Sequence, residues 1–454
     1  MTTVPAQSAV GAMLVRGTLL DTPDDPFRGG TLRHEQDGGL LVEDGVIRER
    51  GPWTTLSARH PDVDQLDLSG GLVLPGFVDT HVHFPQVRVI GGLGLPLLEW
   101  LERWALPEEA RLDDAAYGQG VANDLVSGLV RAGTTTALVF GSHFAPAVDA
   151  LFTRAHQVGL RVTAGLVVAD RVLRDDLLTT PERALGQSLE LAARWHGHGR
   201  LRYAVTPRFS LSASDALLAA CAQVAREVPG SLVTSHLNEN TEEIAAVGRA
   251  FPTARHYLDS YDRHGLVGPH TVLAHDVHPR EDELAVLAAR GAAVAHCPTS
   301  NAALGSGLFP LRRHVEAGVA VALGSDVGAG TGFSLLKEGL QALFHQQLLG
   351  PGGLALHPAH LLHLATRAGA LALGLGDVTG DLDVGRRFDA VWVRPADGTT
   401  AELVMRHAPD PESALAAAFA LGGTADTAGV WVEGRQVGRR GHDGRFTVVT
   451  ATSA

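Results

Sequence analysis

The 454-residue chain is poor in cysteine, in lysine and in aromatic side chains, and it carries no excess of positive charge. Its two cysteines, Cys221 and Cys297, are too few and too scattered for a disulfide framework or a thiolate metal site. A reducing compartment is therefore the default, and a cytoplasmic location is expected. Lys337 is the single lysine, so most lysine chemistry is closed to the chain. A net charge of -13 argues against nucleic acid or an anionic membrane as partner, because both reward a basic surface. No apolar run reaches the roughly 18 residues that would mark a membrane span. The opening MTTVPAQSAVGAMLVRG also lacks the charged and apolar regions of a signal peptide. What remains is an ordinary soluble-enzyme composition, 45% hydrophobic with 53 glycines and 22 histidines. At this length a barrel-sized domain of about 300 residues with a smaller companion is expected.

Short runs of β-branched and apolar residues recur through the middle of the chain. Each enters a polar or glycine-rich loop and then an alanine- and leucine-rich stretch, the alternation of βα units. The pattern predicts strands near residues 73–82, 134–140, 161–168, 202–209, 231–237, 271–275, 292–297 and 319–325. Eight such strands in about 250 residues suggest an α/β fold, a (β/α)8 TIM barrel. At the ends the rhythm changes: 13–20, 39–48 and 70–73 in front, and 388–393, 429–432 and 446–449 behind, read as short antiparallel strands divided by Gly and Asp turns. The economical arrangement is one small β-sandwich built from residues 1–73 and 379–454 around a barrel of residues 74–378. Two independent flanking pieces are the alternative.

The strongest chemical signal is Asp79-Thr80-His81-Val82-His83 at the end of the first barrel strand. Residues i and i+2 of a strand share a face, so His81 and His83 can offer two imidazoles to one ion. Alone, the pair means little in a histidine-rich chain. His236 and His275, however, close two further predicted strands, and Asp326 follows the last. Strand ends of a barrel converge on one mouth, where the catalytic residues of this fold collect. Imidazole and carboxylate donors with an open position suit a catalytic Zn2+, and Fe2+ could occupy the same set. Glu239, three residues beyond His236, lies within reach of a metal-held water and a substrate ring nitrogen. Asp326 can serve as ligand and as acceptor of the proton from the attacking water.

Together Pro75-Gly76-Phe77-Val78-Asp79-Thr80-His81-Val82-His83, Ser235-His236 with Glu239-Asn240, Ala274-His275-Asp276 and Gly324-Ser325-Asp326 resemble the amidohydrolase superfamily. Within it, His83-Phe84-Pro85-Gln86, Thr206-Pro207-Arg208-Phe209, Cys297-Pro298-Thr299-Ser300-Asn301 and Leu304-Gly305-Ser306-Gly307 resemble the guanine deaminase branch. The resemblance implies one Zn2+ per subunit on His81, His83, His236 and Asp326, with His275 beside it and counted in the same metal set. It implies Glu239 as proton shuttle, and Gln86, Arg208 and Phe209 as holders of the purine. The wider set of purine contacts takes in His83, Phe84, Pro85, His236, Glu239 and Asp326. The implied reaction is the hydrolysis of guanine by water to xanthine and ammonia, in a homodimer. In it His275 and Asp326 act on the water, and Glu239 delivers protons to N3 and to the leaving amine. Planar hydrogen bonding supports the purine assignment, since Arg and Gln supply the donors and the acceptor that the guanine edge demands, and an aromatic neighbour suits a planar base.

The lysine count discriminates inside the superfamily. Two-metal members often bridge their ions through a carbamylated lysine at the end of the fourth barrel strand, where this chain has Pro207-Arg208-Phe209. A single-metal deaminase is therefore favoured over a dinuclear hydrolase such as a dihydroorotase-like enzyme. Asn238 and Ser325 depart from the family pattern and are expected to touch the pocket. A deaminase of 8-oxoguanine or of a pterin would keep every metal position. A triazine-type aminohydrolase or dechlorinase fits Pro85-Gln86 and Pro207-Arg208-Phe209 poorly, and a non-catalytic scaffold would have lost ligands that are all present. Core packing, not ligand contact, is expected of Trp100 and Trp104, and structural roles of Cys297 and His296.

Overall fold

The computed structural model describes residues 11–450. Four strands at the front, β1 (Met13–Asp21), β2 (Arg33–Glu43), β3 (Val46–Pro52) and β4 (Asp64–Pro75), precede eight barrel strands. These are β5 (Phe77–His83), β6 (Thr134–Ser142), β7 (Arg161–Val168), β8 (Arg202–Pro207), β9 (Leu232–Leu237), β10 (Thr271–His275), β11 (Ala293–His296) and β12 (Ala320–Leu323). Four more close the chain: β13 (Ala390–Val393), β14 (Thr427–Val432), β15 (Arg435–Arg440) and β16 (Phe446–Val448). Strands β5 to β12 pair in chain order, in parallel. The seam between the first and last is bridged by Asp326 N–H to the His81 carbonyl (2.8 Å) and the Thr80 hydroxyl to the Leu323 carbonyl (2.8 Å). This is the expected (β/α)8 barrel. Its helices form where apolar residues fall at helical spacing. In Ala115–Arg131 the Asp114 carboxylate caps the first turn, and Val121, Leu125, Val126 and Leu129 share one buried stripe. Each such side chain contributes about 1.5–3 kcal/mol on burial.

The run expected as one strand over 73–82 is two. Residues up to Pro75 belong to the terminal sheet and those from Phe77 to the barrel, and Gly76 lets the chain cross between them: a Cβ there would lie 2.1 Å from Thr135 Oγ1. The run over 39–48 is likewise a hairpin, turning at Asp44 and Gly45 with φ of 50° and 75°. Positive φ at both central residues gives the turn whose twist matches paired strands. Glu433 and Gly434 repeat this between β14 and β15, a strand the sequence pattern did not reveal.

The terminal strands form one sheet in the order β16-β15-β14-β13-β4-β1-β2-β3. Because β13 pairs with β4, the two ends are one unit, not independent pieces. At the far edge Ile47 exchanges backbone hydrogen bonds with Gly385 and Arg386, which closes the front strands round a core of Val15, Leu40, Ile47, Val73, Phe388 and Trp431. Among the described residues no helix is long and apolar enough to cross a membrane.

Candidate active site

The residues expected as metal ligands stand together at the strand ends of the barrel, where they could hold a metal ion. His83 Nε2 lies 3.2 Å from both His81 Nε2 and His236 Nε2, and 3.3 Å from Asp326 Oδ1, which is 3.4 Å from His81 Nε2. Tetrahedral ligands about 2.0–2.1 Å from a zinc ion stand roughly 3.3–3.4 Å apart, so these donors are spaced to share one cation. His275 Nε2 is more distant, 3.9 Å from Asp326 Oδ2 and 3.5 Å from Glu239 Oε2. Outer partners fix the rings. The Arg208 carbonyl can only accept, so at 2.6 Å it requires a proton on His236 Nδ1 and leaves the Nε2 lone pair facing inward. Asn301 Oδ1 does the same for His275 Nδ1 at 3.0 Å. Buried Asp79 accepts from the backbone N–H groups of His81 (3.2 Å) and Ser325 (2.9 Å) and from the Ser325 hydroxyl, tying the ligand strand to the loop that carries Asp326.

Protonation states match a cation site. Burial drives His83 down to about 3 and His236 well below its ordinary value, which keeps both imidazoles neutral. Burial opposes ionisation of Asp326, but its electrostatic contact with the surrounding imidazoles, His81 first, outweighs this and holds its carboxyl well below the usual range. Glu239 goes the other way, pushed well above its usual value by burial and by the negative charge of Asp326. The residues present fit one divalent ion beside a carboxyl group whose hold on its proton is strengthened by burial. Four non-glycine residues at this mouth, Asn238, His275, Asp276 and Asp326, adopt φ of 46°, 76°, 45° and 47°. Such backbone costs about 1–3 kcal/mol apiece and is found where a site dictates the conformation.

Beside this set a small pocket is lined by His83, Gln86, Arg208, Phe209, His236, Glu239, His275 and Asp326, all expected site residues, and by Leu97, Trp100, Leu101, Glu243, Leu304 and Ala329. Phe84 and Pro85 do not line it: both are buried, and the Phe84 ring packs in the main core. Asn238 and Ser325 also differ from expectation. The Asn238 amide donates to Asp276 Oδ1 and Glu283 Oε2, both at 2.9 Å, and Ser325 turns to Asp79. Trp100 packs with Leu97 and Ala105 as expected and is also part of the pocket wall, whereas Trp104 is half-exposed. Cys297 is fully buried with its thiol pushed well above the ordinary value by burial, and His296 stacks on Phe309 at 4.2 Å, so neither offers reactive chemistry.

Sequence reading missed two buried carboxylates. Glu109 accepts from Gln86 Nε2 at 2.8 Å and pairs with Arg208 Nη1 at 3.0 Å. Glu243 accepts from the Glu239 N–H at 3.2 Å and from the Tyr257 hydroxyl at 2.5 Å. Glu243 had a legible signal, since Asn240 and Glu243 have the spacing of a capping box. Glu109 had none.

The profile of the Amidohydrolase family matches residues 72–437, and that of a bacterial imidazolonepropionase-like composite domain matches residues 38–62. A probable guanine deaminase of Deinococcus radiodurans is 59% identical over 427 residues, which cover 93% of this chain and 97% of that protein. The solved E. coli guanine deaminase superposes with a TM-score of 0.89 at 37% identity, covering 95% of this chain and 100% of that one. The guanine deaminase of C. acetobutylicum, solved with guanine bound in its active site, gives 0.87 at 26% identity, covering 94% and 100%. The chain belongs to the amidohydrolase family, among the guanine deaminases.

Proposed function

We propose that the chain hydrolyses guanine to xanthine and ammonia, using one Zn2+ per subunit held by His81, His83, His236 and Asp326 with His275 alongside. The observation that carries this reading is that one small pocket joins the candidate metal set and Glu239 to Gln86 and Arg208, the two groups suited to a purine lactam. The guanine held by the C. acetobutylicum relative supports it. Bound zinc would supply Lewis-acid charge and make a water acidic near pH 7.

This chain's residues do the rest. Gln86 and Arg208 hold the N1–H and O6 edge, and Phe209 offers an apolar face to the ring. Asp326, ionised, takes a proton from the water that attacks C2, while His275 orients that water through Nε2. Glu239 gives its proton to N3 as C2 becomes tetrahedral, with the Ser306 hydroxyl 3.4 Å from its Oε1. Asp326 passes the proton it took to Glu239, which delivers it to the exocyclic amine as ammonia leaves; the remaining proton of the added hydroxyl returns to Glu239 as the C2 carbonyl forms, so Asp326 ends ionised and Glu239 protonated, as they began. Cytoplasmic placement is supported by two free, buried cysteines, and a homodimer by the resemblance.

The test is ammonia release with ultraviolet monitoring on guanine, 8-oxoguanine, adenine, cytosine and a pterin. Stoichiometric xanthine from guanine at the highest kcat/KM, lost on chelation and regained with zinc, is expected. Activity confined to another ring would overturn the substrate assignment, and silence on all five with metal bound would overturn the deaminase reading.

A further inference from the structure

Glu109 sits on the helix Leu106–Ala110, away from every motif that marks the active site, yet it is fully buried behind the purine-holding pair. Gln86 Nε2 donates to its Oε1 at 2.8 Å, Arg208 Nη1 is 3.0 Å from both its oxygens, and His143 Nε2 is 3.3 Å from Oε2. A carboxylate only accepts hydrogen bonds, so the Gln86 amide must turn its NH2 group to Glu109 and its oxygen the other way. That oxygen is buried with no protein partner, as is Arg208 Nε. It occupies the space left by the missing side chain of Gly328, where a Cβ would lie 2.2 Å from it. A polar pair tied down on one side and unsatisfied on the other is a half-built hydrogen-bond set awaiting a ligand edge.

We infer that Glu109 is a positioning residue that sets substrate choice: by binding Gln86 and Arg208 together it presents an acceptor beside a donor, and so selects purines with N1–H and a 6-oxo group over 6-amino purines. This deepens the proposed guanine reaction and rests on it. A 6-amino purine offers a bare N1 to the fixed Gln86 oxygen and an amine to the guanidinium, two repulsive pairings in a dry site. Glu109 is ionised, and so holds the arrangement, at neutral pH. Burial pushes its pKa up, but the charge of Arg208, the nearby His143 imidazole and the hydrogen bond from Gln86 outweigh this and leave it at about 2.

The comparison substrate is 2,6-diaminopurine, which keeps the C2 amine and N3 and changes only the N1 and C6 edge. Wild type and Glu109→Gln are assayed on both purines, with zinc content measured. An amide at 109 can donate as well as accept, which releases the Gln86 orientation. The expected result is a fall of about 100-fold in kcat/KM for guanine, carried mainly by KM, as for a misplaced binding group. The preference for guanine over 2,6-diaminopurine should shrink by about tenfold or more, because the repulsion is relieved. An equal loss on both purines, with the ratio unchanged, would show a merely structural role and overturn the inference. If the variant does not fold, wild-type inhibition decides: hypoxanthine should bind about tenfold or more tighter than adenine, and equal inhibition overturns the inference. A wild type inactive on guanine would instead overturn the proposed reaction itself.

Discussion

Gly328 shows how closely the site is specified by single atoms. It lies in the loop that follows Asp326, its φ is 120°, and a Cβ on it would come within 2.2 Å of Gln86 Oε1 and 2.5 Å of Gln86 Cβ. An L side chain rarely adopts that backbone, and the one group able to give way is the amide that Glu109 holds. Gly328→Ala is therefore expected to displace Gln86 and leave the metal ligands, which Asp79, Asn301 and the Arg208 carbonyl hold separately. The measurement is KM for guanine beside zinc content. A rise of about 100-fold in KM with zinc retained is expected, and an unchanged KM would show that the amide does not contact substrate. The convergence of the candidate ligands was legible in the sequence because H-x-H and the later strand-end histidines follow from a period of two and from barrel topology. Glu109 was not, because Glu108-Glu109 on a helix reads as a solvated face. Only the three-dimensional approach of Gln86 and Arg208 turns it into a buried counter-ion.

At the scale of elements the same contrast holds. Most barrel strands were legible, since buried parallel strands are continuous apolar runs. The two misread places, 73–82 and 39–48, contain a glycine that redirects the chain, and no periodicity marks a change of sheet. Trp100 is another example: a π-helical turn over Leu101–Ala105 follows its short helix Leu97–Trp100, an irregularity that sequence does not announce and that recurs at functional sites. Contacts between elements also set a pH response. Glu338, on the helix Leu335–Leu348, is fully buried and accepts from the Thr299 N–H (3.0 Å) and hydroxyl (2.8 Å), which anchors the short helix bearing Asn301. Burial raises it to about 8. An unfolded glutamate loses its proton at about 4.3. Between these values the folded state binds more protons than the unfolded one, so this group's contribution to stability falls as pH rises. Glu338→Gln should remove that slope: unfolding midpoints followed from about pH 5 to about pH 8 should decline less in the variant than in wild type. Parallel curves would show that Glu338 is ionised in the folded protein.

Across the whole molecule the barrel strands have two ends with different tasks. The C-terminal ends of β5, β9 and β10 carry His83, His236 and His275, while the opposite ends of β5 and β7 are fastened to the terminal sheet. Asp389, at the entry to β13, is the fastening. It is fully buried, and its carboxylate accepts from Arg161 Nη2 at 3.1 Å and from the Glu433 N–H at 2.7 Å. Its carbonyl accepts from Gly76 N–H at 2.9 Å, at the crossing from sheet to barrel. Arg161, the first residue of β7, also meets Glu433 at 3.2 Å, so one ion-pair group joins the barrel floor to β13 and the β14–β15 turn. Removing one partner of a buried pair leaves the other charge uncompensated and costs about 3–5 kcal/mol. Because the group spans both units, Asp389→Ala should loosen them together. Hydrogen exchange is expected to accelerate in β13 and β14 and equally in β5 and β7, with one unfolding transition at a lower denaturant concentration. Faster exchange confined to the terminal sheet would mean that the barrel stands without it, and that the sheet is an appendage instead of the base on which the strands bearing the metal ligands are set.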